Sequence, residues 1–270
     1  MKIVNNILTQ AAIWKRVCEL IFNPRLTQEI TNWPRLLADF IWPISGNFTL
    51  QLRRHGWLVI RGSTFDKWPV SEVIVRDDYR LHRLSAPKII IDLGAGIGDF
   101  DIYASLLFPQ VKIYAYEPDE DAYSLLTQNI TRNALGHHVS AYKQAVTKKN
   151  APDHLSIHQT KGYPSLMVRF PQSILLSATT VDRIFLQHRI EKCDLLKIDI
   201  EGAEYAVLYS LSAANFKKIV RIHLECHNFD GTKFNSRQLK KFLEQKGFWV
   251  EEQKNLDNHI SMLYALNRNF

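Results

Sequence analysis

The chain has 270 residues but only three cysteines, Cys18, Cys193 and Cys226, and none of them share C-x-x-C spacing. Neither a disulfide framework nor a thiolate metal site is therefore indicated. The sequence also lacks a long apolar run, because polar residues interrupt the apolar N-terminal stretch 1–22 too often for a signal peptide or a membrane span. We expect buried thiols in a reducing compartment and a cytoplasmic location.

Two kinds of catalytic pattern are missing. There is no G-x-S-x-G motif and no paired Cys/His arrangement, so a serine or cysteine nucleophile is not indicated. What is present is ordinary for a globular protein, with 46% hydrophobic and 23% charged residues. The length allows one large domain, or one domain with an appendage.

Positive charge and tryptophan are concentrated in the first third of the chain. The net charge is +7, and residues 1–87 hold 12 Lys/Arg against 7 Asp/Glu. The same third contains five of the six tryptophans, Trp14, Trp33, Trp42, Trp57 and Trp68. Two interpretations stay open: contact with a membrane surface or an anionic substrate, and packing of the rings onto the main domain. No run of like charges indicates nucleic-acid binding.

The pattern of elements predicts an N-terminal cap over residues 1–87 and a main domain over 88–270. The cap reads as two helical stretches separated by Asn23-Pro24, followed by two short strands and a helix. The predicted cap elements after these stretches are the strands 48–52 and 57–61 and the helix 70–84.

From Lys88 onward, apolar strands alternate with helical patterns. The predicted strands are 89–93, 111–117, 139–146, 194–200, 219–225, 247–252 and 260–266, and the predicted helices are 99–108, 119–134, 201–212 and 236–247. This alternation predicts an α/β fold with a doubly wound, mostly parallel seven-stranded sheet. The last two strands are joined by only seven residues, 253–259, so they are expected to form an antiparallel terminal hairpin.

A glycine-rich loop follows the first strand of the main domain, in 89-IIIDLGAGIGDF-100. Glycines at 94, 96 and 98 let backbone N–H groups approach a ligand closely at the carboxyl edge of the sheet. Glu117 ends the next strand, 23 positions after Gly94, where a carboxylate can accept hydrogen bonds from two ribose hydroxyls. The combination predicts a nucleoside ligand.

The acids around this loop indicate which nucleoside. A pyrophosphate fingerprint would need glycine at position 99, which is Asp99, and an acid there would repel a dinucleotide. Asp92 adds a second carboxylate, and two acids suit the ammonium and sulfonium of S-adenosylmethionine. We predict cofactor contacts from Asp92, Gly94, Ala95, Gly96, Gly98, Glu117 and Pro118. A nicotinamide oxidoreductase is the alternative that Asp99 and the terminal hairpin disfavour.

Another acidic group lies in 195-LLKIDIEGAEYAVL-208. Asp199 and Glu201 fall at the carboxyl edge of the sheet, where the reacting group of a substrate would sit. Asp199 could instead cap a helix that begins at Glu201 or Gly202. Glu204 is expected to be a solvated acid that complements the helix dipole.

The next strand ends in 223-HLECH-227, where His223, Glu225 and His227 share one face by the period of two. The candidate catalytic residues are therefore Asp199, Glu225 and His227, with His227 as general base and an acid orienting it or the acceptor. The alternatives are that these three residues hold a divalent cation such as Mg²⁺ or Mn²⁺, or that His227 is a surface histidine.

The segments DLGAGIGDF, YAYEPDEDAYSLLTQN, SATTVD, LLKIDIEGAE and LECH resemble the FkbM-type methyltransferases, a branch of the class I S-adenosylmethionine-dependent enzymes. The resemblance covers residues 88–266, and 57–79 is similar to the segment that precedes the core in that family. It implies a seven-stranded sheet with a reversed last strand, S-adenosylmethionine as methyl donor, and usually an O-methylated product such as a sugar or polyketide hydroxyl. The polar loop 147–165 carries no residue that can be assigned to an acceptor.

We therefore predict O-methylation of a hydroxyl on a small molecule, sugar or glycolipid. N-methylation of a protein or nucleic acid is the alternative. It is less favoured because methyltransferases that act on base amino groups resemble one another in a D/N-P-P-aromatic motif, and this place reads Asp199-Ile200-Glu201-Gly202. A non-catalytic binding module is a further possibility.

Overall fold

The computed structural model describes residues 14–15, 17–160, 163–165, 173–229, 231–254 and 260–270. The helical pattern predicted over the first 13 residues lies outside these ranges. Among the described residues, no helix is both long enough and apolar enough to cross a lipid bilayer.

The N-terminal cap consists of short helices and one hairpin. Its elements are α1 (Pro24–Glu29), α2 (Trp33–Ile41), β1 (Asn47–Leu52), β2 (Gly56–Arg61) and α3 (Lys67–Val70). The Asn23 side chain accepts a hydrogen bond from the Arg25 N–H, and Pro24 occupies the first helical position, as expected for a helix start. The two predicted cap strands are confirmed as an antiparallel pair, with Leu52 opposite Gly56 at the turn.

The helix predicted over 70–84 is wrong in its second half. A wide π-type turn, Ser71–Arg76, follows α3, and it ends at Asp77 in the left-handed region with φ 58°. A single 3₁₀ turn, Leu81–Arg83, comes after a second left-handed residue, Arg80, with φ 50°. Left-handed backbone at two non-glycine residues cannot continue an α-helix, so the chain changes direction twice here.

The main domain alternates strands and helices. Its elements are β3 (Ile89–Leu93), α4 (Asp99–Leu107), β4 (Lys112–Tyr116), α5 (Glu120–Arg132), β5 (Val139–Tyr142), β6 (Ala145–Val146), β7 (His154–Thr160), β8 (Tyr163–Ser165), β9 (Ser173–Thr179), α6 (Val181–Gln187), β10 (Leu195–Ile198), α7 (Glu204–Ser210), α8 (Ala213–Phe216), β11 (Arg221–His227), α9 (Ser236–Gln245), β12 (Phe248–Lys254) and β13 (Ile260–Asn267).

The predicted seven-stranded sheet is confirmed, with the order β12-β13-β11-β10-β3-β4-β5. Strands β11, β10, β3, β4 and β5 are parallel to one another. Strand β13 runs antiparallel to both β11 and β12, which confirms the reversed terminal hairpin. All parallel strands therefore present their carboxyl ends at one edge, where a ligand is expected.

A second, four-stranded sheet of order β6-β9-β7-β8 was not predicted. It includes most of the polar loop 147–165, because strands β7 and β8 form an antiparallel pair within it. The predicted strand 139–146 is in fact two strands, β5 and β6, that belong to different sheets. Helix α6, whose first turn is capped by the Thr180 side chain, was missed as well.

Alternate residues of the central strands enter two hydrophobic cores, one on each face of the sheet. Ile90 and Leu195 belong to the first core, whereas Ile91 and Leu196 belong to the second. The first core also contains buried cap residues such as Leu50 and Ile74. The cap thus covers one face of the sheet and shares its core.

The cap tryptophans fall into two groups. Trp33 packs against the first core, Trp68 lies edge-on to Phe40 with ring centroids 4.7 Å apart, and Trp57 lies under the guanidinium of Arg132. Trp14 and Trp42 are instead 55% and 76% exposed. Packing therefore accounts for Trp33 and Trp68, whereas Trp57 contacts Arg132 but is still 38% exposed.

Candidate functional site

A cleft of about 260 Å³ lies at the carboxyl edge of β3, β4 and β10. Its walls come from the glycine loop, the turn after β4, the turn after β10 and the second sheet, which contributes Leu176. The cap forms a further wall, with eight lining residues: Arg61, Thr64, Phe65, Asp66, Pro69, Glu72, Val73 and Tyr79.

The three glycines of the loop have different tasks, although all have a positive φ. A Cβ on Gly94 (φ +81°) would lie 1.7 Å from the carbonyl oxygen of Asp199, so this glycine permits close contact between two strand ends. A Cβ on Gly98 would lie 2.5 Å from Leu126 Cδ1, which shows that Gly98 serves the packing of α5. A Cβ on Gly96 (φ +54°) would meet nothing within 4 Å, and Gly96 lines the cleft together with Ala95.

Glu117 directly follows β4, which lies on the other side of β3 from β10. Its Oε2 accepts a hydrogen bond from the Gly96 N–H at 2.8 Å, and its Oε1 accepts one from the Asp119 N–H at 2.8 Å. The carboxyl is 7% exposed, and burial raises its pKa to about 7. Pro118 lines the cleft beside it.

Asp92, predicted to face the ligand, is fully buried beneath the loop and is not among the described residues that line the cleft. Its Oδ1 accepts from Lys197 Nζ at 2.8 Å, and the same ammonium donates to the Gly94 carbonyl at 2.9 Å. Asp92 and Lys197 therefore hold the glycine loop from below.

Asp99 is the acid of this region that does line the cleft. It is 5% exposed, and its Oδ2 has no hydrogen-bond partner among the described residues. Burial raises its pKa to about 7. A buried acceptor without a partner at a cleft wall is suited to a ligand that donates hydrogen bonds.

Asp199 also lines the cleft, at the end of β10. Its Oδ2 accepts a hydrogen bond from the Tyr79 hydroxyl at 2.8 Å. The alternative that Asp199 caps a helix is wrong, since α7 begins only at Glu204 and its cap residue Ala203 makes no side-chain hydrogen bond. The intervening turn is formed by Glu201 (φ 49°) and Gly202 (φ 100°) in the left-handed region.

Three carboxylates surround the imidazole of His227. Its Nδ1 lies 3.1 Å from Glu204 Oε1, and its Nε2 lies 3.3 Å from Glu201 Oε2 and 3.6 Å from Glu225 Oε1. Burial alone would lower the pKa of His227, but these acids raise it to about 11. The three acids therefore favour the imidazolium form, in which both ring nitrogens carry a proton.

Two expectations about this cluster are wrong. Glu204 is not solvated but fully buried, and its Oε1 also accepts the backbone N–H of His227 at 2.8 Å. His227 is not a surface histidine, because its side chain is only 15% exposed. Burial, followed by the charges of Asp199 and Glu72, holds the pKa of Glu225 well above its ordinary value.

Residues 92–262 match the model of the methyltransferase FkbM domain. The chain belongs to the FkbM methyltransferase family. Similar proteins include the methyltransferase sdnD of Sordaria araneosa, 25% identical over 215 residues, which cover 68% of this chain and 82% of sdnD. Another is the 31-O-demethyl-FK506 methyltransferase FkbM of Streptomyces tacrolimicus, 22% identical over 173 residues, which cover 53% and 66%.

Among solved structures, the precorrin-6y C5,15-methyltransferase of Geobacter metallireducens GS-15 matches with a TM-score of 0.48 and 15% identity, covering 76% of this chain and 93% of that chain. The M. capricolum TrmK in complex with S-adenosyl-homocysteine matches with a TM-score of 0.46 and 14% identity, covering 72% and 68%.

The matched region of this FkbM methyltransferase includes the glycine loop, Glu117, Asp199 and His227. Tyr79 precedes it, and sequence reasoning did not select this tyrosine. The available signal was its place in the segment 57–79 that is similar to the family's pre-core region.

The possible metal site at Asp199, Glu225 and His227 gains no support from the geometry. Across the described ranges, no group of three or more His, Cys, Asp or Glu residues is arranged to hold a metal ion.

Proposed function

We propose that this FkbM methyltransferase uses S-adenosylmethionine to methylate a hydroxyl group of a small molecule, sugar or glycolipid. The observation that carries the proposal is the arrangement of the cleft. One side offers the fixed carboxylate of Glu117 beside open space at Gly96, and the other offers the carboxylate of Asp199.

The residues fit the proposed donor. Glu117 can accept hydrogen bonds from two ribose hydroxyls, and the open space at Gly96 allows close approach to the loop backbone. Asp99 can offer the ammonium group its buried Oδ2, which has no hydrogen-bond partner within the described part of the chain. When bound, S-adenosylmethionine supplies an electrophilic methyl group on sulfur.

A buried acid at position 99 also argues against a dinucleotide. Asp99 sits in the first turn of α4, where a pyrophosphate would need unobstructed N–H groups, and its carboxyl faces the same cleft. The nicotinamide alternative is therefore disfavoured on geometry as well as on sequence.

For the acceptor, we propose Asp199 as the general base in place of His227. A neutral alcohol must lose its proton as the methyl group is transferred, and a positioned base contributes about 10²- to 10⁴-fold. The imidazolium of His227 has no free lone pair, whereas Asp199 Oδ1 makes no hydrogen bond with any described residue. His227 then serves to hold Glu201 and Glu204 in place by charge.

The name of one relative supports an oxygen acceptor. The 31-O-demethyl-FK506 methyltransferase, 22% identical to this chain, is named for methylation at an oxygen. The turn that holds Asp199 carries no proline, so the motif typical of enzymes that methylate base amino groups is absent from it.

Transfer of a tritiated methyl group from S-adenosylmethionine into a cell extract tests the proposal, with Asp199→Asn as the background control. We expect label in the lipid or saccharide fraction, in a linkage that resists mild base as an ether does. Label confined to protein or nucleic acid would favour the N-methyltransferase alternative. Calorimetric binding of NAD without binding of S-adenosylhomocysteine would overturn the donor assignment.

A further inference from the structure

Tyr79 is brought into the cleft by the cap, outside the matched family region. Its side chain is almost fully buried, with 4% exposed. The ring lies edge-on to Phe100 at 5.7 Å and 5.1 Å from the ammonium of Lys197, and its hydroxyl donates to Asp199 Oδ2 at 2.8 Å. Ring and hydroxyl are thus both fixed.

The backbone on either side of Tyr79 is anchored to the central sheet. Nδ1 of His223 donates to the Tyr79 carbonyl at 2.7 Å, and the Tyr264 hydroxyl donates to the Asp78 carbonyl at 2.7 Å. The Arg80 guanidinium forms an ion pair with Glu251 and lies 3.4 Å from the centre of the Tyr264 ring. Strands β11, β12 and β13 therefore all contribute to holding this segment.

The segment is held although its conformation is unfavourable. Asp77 and Arg80, which flank Asp78 and Tyr79, both have left-handed backbone, with φ 58° and 50°. Such conformations at non-glycine residues cost free energy and persist where surrounding contacts impose them. Several contacts thus hold a strained segment in the conformation that places the Tyr79 hydroxyl on the Asp199 carboxylate. This indicates that the position of the hydroxyl matters for the site.

We propose that Tyr79 is a positioning residue of the methyl-transfer site, which fixes Asp199 Oδ2 and thereby presents Oδ1 to the acceptor hydroxyl. This inference rests on the function proposed above. It makes the cap part of the catalytic site, because the base belongs to the matched region and its orienting donor does not.

Tyr79 is also suited to remain a donor. Burial, together with the nearby charges of Asp199 and Glu225, holds the pKa of the Tyr79 hydroxyl well above its ordinary value. The phenol therefore stays protonated and does not compete with Asp199 for the acceptor's proton.

The test is Tyr79→Phe, which removes only the hydroxyl, in the tritiated methyl-transfer assay with the acceptor fraction of the extract. We expect the maximal rate to fall about 10- to 100-fold, the effect of losing one hydrogen bond to a charged group. The affinity for S-adenosylhomocysteine, measured by calorimetry, should stay within about twofold. A lower rate with unchanged S-adenosylhomocysteine affinity distinguishes a positioning role from loss of folding, because an unfolded protein would lose both.

Tyr103→Phe is the matched control. Tyr103 is also buried, but its hydroxyl contacts Arg25 and His82 away from the cleft. We expect this variant to keep the wild-type rate. A wild-type rate for Tyr79→Phe would overturn the positioning role. The role would also be overturned if Tyr79→Phe and Tyr103→Phe lost the same amount of rate and the same amount of affinity for S-adenosylhomocysteine. A wild-type protein that labels no fraction would refute the proposed function instead.

Discussion

Charge compensation around single side chains decides which of the predicted catalytic residues can accept a proton. His227 faces Glu201, Glu204 and Glu225, so its imidazolium form is favoured up to high pH. Oδ2 of Asp199 accepts a hydrogen bond from Tyr79, whereas Oδ1 makes none with the residues that the structure describes. We therefore expect Asp199 rather than His227 to accept the proton, although imidazole ordinarily has the pKa better suited to a general base at neutral pH.

The substitution Asp199→Asn tests this assignment because it preserves shape and removes the proton-accepting charge. We expect turnover to fall by about 10²- to 10⁴-fold, the usual contribution of a positioned base. Binding of S-adenosylhomocysteine should be nearly unchanged, because Asp199 is assigned to the acceptor. Turnover within about threefold of wild type would remove Asp199 from the base role.

His227→Gln is expected to affect stability in a pH-dependent manner. The folded-state pKa of about 11 exceeds the ordinary value of 6.5, so the stabilisation by His227 is fully present below pH 6.5 and is lost as the pH rises through 11. The variant should lose about 3 kcal/mol of unfolding free energy near pH 6, since buried Glu204 loses its cationic partner.

Urea unfolding at pH 6, 8 and 10 measures this effect, and the difference from wild type should shrink as the pH rises. His137→Gln serves as the control, because His137 is exposed in a loop and its replacement should change the free energy of unfolding by less than about 0.5 kcal/mol. A constant difference across the pH range would contradict the charged state assigned to His227.

Among the secondary-structure elements, the glycine loop between β3 and α4 contains one glycine that the fold requires and another that leaves space for a ligand. Gly94 lets the loop touch the end of β10, whereas Gly96 leaves space open in the cleft. Lys197 joins the two strands from below through Asp92 and the Gly94 carbonyl. Loop geometry therefore depends on a neighbouring strand as much as on the glycines.

Substitution of Gly94 or Gly96 by alanine should separate the effect on folding from the effect on ligand binding. Gly94→Ala would place a Cβ 1.7 Å from a backbone oxygen, so we expect severe destabilisation or failure to fold. Gly96→Ala meets no atom within 4 Å and should cost only about 1–2 kcal/mol for the left-handed backbone, but its methyl group enters the cleft.

Thermal unfolding and calorimetry with S-adenosylhomocysteine measure the two effects. The Gly96 variant should unfold near the wild-type temperature and bind at least about tenfold more weakly. If it binds as tightly as wild type, the donor does not approach the loop at this position.

At the scale of the whole molecule, the cap and the sheet share one hydrophobic core. Buried cap residues such as Leu50 and Ile74 pack in the same cluster as Ile90 and Phe100. The cap also forms a wall of the cleft. We therefore expect residues 1–87 and 88–270 to fold as one cooperative unit.

Unfolding followed by two probes tests this cooperativity. Five of the six tryptophans lie in residues 1–87, so fluorescence reports chiefly on the cap, whereas far-ultraviolet circular dichroism reports on all helices and strands. The midpoints should coincide within about 0.2 M urea, as for a two-state transition. A fluorescence transition that clearly precedes the loss of circular dichroism would show an independently unfolding cap.

Peripheral membrane contact by the cap stays a prediction. Trp14 and Trp42 are exposed, and residues 1–87 carry most of the net positive charge. We expect weak flotation with vesicles that contain phosphatidylserine, reduced by salt and by Trp42→Ala. If the protein does not float at low salt, the exposed rings have another role.

Much of the fold was predictable because its signals are local. The β-branched run before Gly94, the alternation of strands with helices and the short connection before β13 each depend on neighbouring residues. The second, four-stranded sheet was missed because β6 pairs with β9 across more than 25 residues of chain. The polar composition of the intervening segment also gives no clear strand pattern. The predicted helix 70–84 was too long because Asp77 and Arg80 have left-handed backbone. Contacts with distant residues, such as the ion pair between Arg80 and Glu251, hold this segment, and a local pattern does not reveal them.

Periodicity and motif spacing were enough to predict the sheet, the glycine loop, Glu117 and the set of acids at the strand ends. The surroundings of these residues could not be predicted in this way and depend on the fold. It buried Asp92 against Lys197, enclosed His227 among three carboxylates and brought Tyr79 to Asp199 across 120 positions of chain. Protonation and orientation depend on distances between residues far apart in sequence, and only the folded chain sets those distances.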